Sequence, residues 1–117
     1  MIVKLLTKPI EEQLLANSED SKLANFSDQV FDPEPVVKLF DCMGPATWLL
    51  TEIDDEGYAF GLCDMGHGFP ELGYVDFHEL VEALGWRLER DMYWEAKGTL
   101  SEYAEVARGA QRIVDLP

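Results

Sequence analysis

The chain is poor in cations: nine Lys and Arg stand against 23 Asp and Glu, a net charge of -14 over 117 residues. That balance excludes binding to nucleic acid or to an anionic membrane surface through a broad basic patch. Only two cysteines are present, too few for a disulfide scaffold. No apolar run approaches the ~18 residues of a transmembrane helix, and the N-terminus lacks a long apolar stretch with a small-residue cleavage site. The expectation is a cytoplasmic protein with no membrane partner. Apolar residues make up 47% of the chain, which is enough to build a core and argues against wholesale disorder. The length suits one domain spanning residues 1–117.

The charge is unevenly placed. Residues 1–8 hold Lys4 and Lys8 and no acid, residues 9–86 hold 17 acids against Lys22 and Lys38, and residues 87–117 hold six acids and five bases. Between Lys38 and Arg87 there is neither Lys nor Arg, and that gap contains ten acids: Asp41, Glu52, Asp54, Asp55, Glu56, Asp64, Glu71, Asp76, Glu79 and Glu82. Such crowding favours solubility, and its self-repulsion opposes the compact state.

Local signals outline the elements. Thr7 is placed to cap a first helix, with Pro9 in its first turn and Glu11 and Glu12 at its positive end. Ile10, Leu14 and Leu15 share a face, and the polar run Asn17-Ser18-Glu19-Asp20-Ser21 predicts a stop near Asn17. Residues 17–35 then read as a long connection, stiffened by Asp32-Pro33-Glu34-Pro35 and pinned to the core by Leu23, Phe26, Val30 and Phe31. Strand signals follow at Val36–Phe40, Thr47–Ile53 and Tyr58–Cys63. The last two flank Asp54-Asp55-Glu56-Gly57, a hairpin turn with Gly57 at positive φ. Gly73–Asp76 predicts a short strand. Asp76 with Glu79 opens a second helix that Gly85 ends. Leu88–Trp94 alternates as a strand, and Thr99 with Glu102 opens a C-terminal helix. The predicted fold class is α+β: a small, mostly antiparallel sheet with about three helices packed on one face.

Several stretches resemble a known family: Leu5-Leu6-Thr7, Val37-Lys38-Leu39-Phe40, Trp48 with Thr51-Glu52, Phe60-Gly61-Leu62, Pro70-Glu71-Leu72-Gly73-Tyr74, Glu79-Leu80, Leu88-Glu89-Arg90-Asp91, and Tyr93-Trp94. The likeness covers roughly residues 5–102, with Gln13–Phe31 and Cys42–Ala46 departing from the pattern. The family is an uncharacterised domain-of-unknown-function group of small proteins carried mainly by bacterial plasmids, phages and integrated elements. The resemblance implies a mobile-element setting, in which small acidic proteins that block host defence nucleases also occur. That is analogy and carries no mechanism.

The acidic centre supports a nucleic-acid mimic. Duplex DNA carries one charge per ~1.7 Å, hence about 20 phosphates along a compact domain of this size. The bland alternative is an acidic surface spread evenly around the molecule. Asp54, Asp55, Glu56, Asp64, Glu71, Asp76, Glu79 and Glu82 are the candidate partner-binding residues, facing a basic nucleic-acid-binding protein such as a host defence nuclease complex. No cofactor and no metal are expected. Cys42, Cys63, His67 and His78 match no closed zinc spacing. The competing reading is a small metal-assisted hydrolase or nuclease centred on Asp64, His67 and Glu71, with Asp76 a further oxygen ligand. No Gly-x-Ser-x-Gly, P-loop or His-Glu-x-x-His supports it. Arg90 is expected to pair bidentately with a partly buried carboxylate. Trp48, Trp86, Trp94, Phe40, Phe60 and Tyr74 are expected in the core or on a sheet face, because a base-stacking platform needs cations beside it.

Overall fold

A computed structural model describes residues 5–117. Among the described residues it is an α+β fold of three α-helices and a five-stranded antiparallel sheet, with dimensions of 41 × 34 × 23 Å. We label the helices α1 (Lys8–Phe26), α2 (Phe77–Leu84) and α3 (Leu100–Ala110), and the strands β1 (Val37–Asp41), β2 (Thr47–Ile53), β3 (Tyr58–Asp64), β4 (Glu71–Asp76) and β5 (Leu88–Arg90). The strand order is β4-β3-β2-β1-β5, so β4 and β5 are the edges.

Helix α1 begins as expected: the Thr7 hydroxyl accepts from the Ile10 N–H, and Pro9 sits in the first turn. It does not stop near Asn17. Asn17 and Ser18 are buried in its middle, and Asn17 Nδ2 donates to the Thr51 carbonyl at 2.9 Å. Strand β1 pairs with β2 only as far as Leu50, so the end of β2 outruns it. The helix lies against that end, and Asn17 supplies a donor for a carbonyl that β1 does not reach. A polar run that reads locally as a breaker is here a tertiary anchor. The connection therefore starts at Ser27 rather than Asn17. Leu23, Phe26 and Val30 do not pin it, being 64%, 93% and 94% exposed. It is held instead by polar bonds to α3: the Pro33 carbonyl accepts from the Leu100 N–H at 2.9 Å, and Asp32 accepts from both the backbone and the hydroxyl of Ser101.

Strands β2 and β3 form the expected hairpin, with Gly57 at φ 92. Leu50 pairs with Gly61 and Glu52 with Phe60, so Thr51 is a bulge. Gly61 permits the close approach at that point: a Cβ there would lie 1.9 Å from the Leu49 carbonyl oxygen. The expected strand Leu88–Trp94 ends at Arg90, after which Asp91 turns the chain.

The helices are not on one face. Trp48 and Leu50 of β2 join Leu14 of α1 and Phe77 of α2 in one core. Leu49, one residue out of phase, joins Leu62, Leu100, Tyr103, Ala104 and the tail residue Leu116 in a second core. A central strand that is apolar on both sides needs cover on both sides. Helix α3 provides the second layer, opened by the expected Thr99–Glu102 capping box. Trp48 is buried and Tyr74 lies on the face of β4 with its ring 4.9 Å from that of Phe60, both as expected, but Trp86 is 73% exposed in the turn before β5. No helix among the described residues is long and apolar enough to cross a membrane.

Candidate functional site

The acidic residues are sorted by the hairpin. At its tip, Asp54 Oδ1 accepts from the Glu56 and Tyr58 N–H groups, both at 2.9 Å, so this carboxylate shapes the turn. Asp55 and Glu56 are exposed beside it. The Phe77 N–H donates to the Gly57 carbonyl at 2.9 Å, which ties the first residue of α2 to the tip. Asp76 caps that helix by accepting from the Glu79 N–H, and Glu79 and Glu82 are exposed one turn apart. Five of the eight candidates, Asp54, Asp55, Glu56, Asp76 and Glu79, thus belong to the hairpin tip and the start of α2 beside it, and Glu82 follows one turn further along that helix.

Two acids that were not candidates border the tip. Glu11 of α1 lines a hollow of about 340 Å³ together with Asp54, Asp55, Phe77 and His78. Glu52 sits close enough to Asp54 to feel its charge. Burial pushes the Glu52 carboxyl up, its hydrogen bond with Ser21 and the charge of Lys22 oppose that, and Asp54 adds to it. Glu11 lies more than forty residues from the tip in the chain, so no local pattern marks it.

The remaining two candidates lie elsewhere. Asp64 ends β3 and Glu71 starts β4, where Cys63 pairs with Glu71. Strand geometry puts that end about 20 Å from the tip, more than twice the screening length of ~8 Å at physiological salt. Asp64 is only 4% exposed and accepts from the Gly66 N–H at 2.8 Å and the Ile113 N–H at 2.9 Å. It fastens the C-terminal tail to the loop after β3 and does not face outward. Glu71 is exposed and shares a shallow hollow with Arg108.

The same placement bears on metal chemistry. Among the described residues no three His, Cys, Asp or Glu side chains gather closely enough to hold a metal ion, so Asp64, His67 and Glu71 form no such site. His67 is exposed in its loop. Cys42 is exposed and Cys63 half-buried, and neither is in a disulfide. Burial pushes the Cys63 thiol up to about 11.

The bidentate pair expected of Arg90 is made by Arg87 instead, with Nε 3.1 Å from Asp41 Oδ1 and Nη2 2.6 Å from Oδ2. Among the described residues the other ion pairs are Lys22–Glu19 and Lys38–Asp91. Among the described residues none of the six tip and α2 carboxylates takes part in one.

The model of a family described as "Protein of unknown function (DUF2958)" matches residues 5–114. No curated protein and no solved structure matches significantly.

Proposed function

The chain belongs to the DUF2958 family of proteins of unknown function, and from that premise we propose that it is a non-enzymatic interaction protein whose hairpin tip and α2 present a nucleic-acid-like anionic surface to a basic, nucleic-acid-binding partner. The observation that carries the reading is that the exposed Asp55 and Glu56 of the tip stand beside the start of α2, whose Glu79 and Glu82 are also exposed, on a molecule of net charge -14. Asp54 of the tip and Asp76 before α2 have their carboxylates directed to backbone N–H groups. Such a surface attracts a cationic groove over a distance and orients its approach. The resemblance to proteins of plasmids and phages supports a host defence nuclease complex as the partner class. The competing metal-assisted hydrolase is disfavoured by Asp64, whose two oxygens are held by backbone N–H groups.

The test uses immobilised protein and the DNA-binding fraction of a bacterial lysate. The wild type retains proteins that duplex DNA displaces, and the variant Asp55→Lys, Glu56→Lys, Glu82→Lys does not retain them. Equal retention by both, or retention that DNA does not displace, contradicts the proposal.

A further inference from the structure

The sheet edge formed by β5 carries a feature independent of the anionic surface. A cavity of about 500 Å³ lies between the end of α2 and β5, lined by Val81, Trp86, Leu88, Arg90 and Met92 among others. That volume falls within the range of small-ligand sites, about 300–1,000 Å³. Its walls are mostly apolar, and Trp86 and Met92 are 73% and 67% exposed at this edge.

Arg90 is the cation in this lining. Among the described residues its Nε is buried with no hydrogen-bond partner, and it forms no ion pair. The buried Nε holds the guanidinium at this wall, and a cation there without a protein partner favours an anion in the cavity beside it. The neighbouring arginine cannot substitute, because Arg87 is held bidentately by Asp41. In a chain with 23 acids, this guanidinium has no protein carboxylate paired with it. We infer that this cavity is a binding site for a small organic anion, a carboxylate on an aromatic body, with the carboxylate on Arg90 and the ring against Trp86.

The charge state follows from the surroundings. One guanidinium matches one carboxylate, and Glu89 in the same lining repels a second negative charge. The net charge of -14 disfavours polyanions such as nucleoside triphosphates. Apolar walls and an exposed indole favour a flat apolar body over a bare inorganic anion.

The experiment is a titration of ¹⁵N-labelled protein with phenylacetate, phenylacetamide and inorganic phosphate, following the Arg90 Nε–H and Trp86 Nε1–H resonances. Phenylacetate is expected to move both together and to saturate, binding at least about tenfold more tightly than the neutral amide, since a charge-assisted bond is lost in the amide. Arg90→Met abolishes the effect. Trp86→Ala, a change at an exposed position that keeps the fold, weakens it and serves if Arg90→Met does not fold. Equal binding of the amide, an equal response to phosphate, no joint shift with phenylacetate, or wild-type binding by Trp86→Ala would each overturn the inference.

Discussion

Arg87 and Asp41 form a two-point ion pair that joins the 3₁₀ turn before β5 to the end of β1. Asp41 is 7% exposed and also accepts from the Met43 N–H at 3.0 Å. Its carboxyl is held below the ordinary 3.8, first by the Arg87 hydrogen bond, with burial opposing and the Met43 N–H helping. A carboxyl lowered in the folded state stabilises above its unfolded value, and that share is lost as pH falls through the folded value. The acid limb of the stability curve therefore carries a contribution from Asp41. Asp41→Asn lowers the neutral-pH melting temperature and flattens the curve below about pH 4. Thermal melts of both proteins across acid pH check this.

Glu52 has the opposite sign. Its carboxyl is raised above the ordinary 4.5, chiefly by burial. The folded state then holds the proton more tightly than the unfolded chain, and the ionised side chain opposes folding at neutral pH. Glu52→Gln is expected to raise the melting temperature at pH 7, with the gain shrinking as pH falls through the carboxylate range. A loss of stability at pH 7 contradicts this.

The Asn17 anchor sets the length of α1. Asn17→Ala leaves the Thr51 carbonyl without its donor in a buried position. The expected cost is about 1–3 kcal/mol by chemical denaturation. Amide exchange should also quicken from Ser18 to Phe26 more than at the start of the helix.

Gly61 faces the bulge at Thr51. A methyl group there would meet the Leu49 carbonyl oxygen at 1.9 Å, and that neighbour is backbone in the central strand. Gly61→Ala is expected to cost more than about 3 kcal/mol, at the high end for a single change. Gly73→Ala on β4, where a Cβ meets nothing within 4 Å, serves as the tolerated control.

What the sequence makes legible here is the chemistry that acts within a few residues. Thr7, Asp76 and the Thr99–Glu102 box cap the helices that follow them, as local pattern predicts, and Gly57 and Gly85 take the positive φ that their turns require. What depends on distant partners is not legible. Asn17 looks like a helix stop until Thr51 is beside it. Arg90 alternates with Leu88 and so looks like the pairing arginine, yet it is Arg87 that reaches Asp41. Leu49 hides the second core, because in a run of Trp48, Leu49 and Leu50 no alternation tells one face from the other. The acidic candidates divide the same way. Asp55 and Glu56 are set by the local hairpin, whereas the burial of Asp64 depends on Ile113 of the tail.

The most direct measurement of the anionic surface compares two variants of equal net charge. One carries Asp55→Lys, Glu56→Lys and Glu82→Lys; the other carries Glu95→Lys, Glu105→Lys and Asp115→Lys, all exposed positions outside the hairpin and α2. Binding of a fluorescent arginine-rich peptide is followed by anisotropy from low to physiological salt. The account predicts that the first variant loses at least about tenfold in affinity and most of the salt dependence, while the second stays near wild type. Equal losses in both variants would mean that the peptide responds to overall charge, and that the tip and α2 form no binding surface.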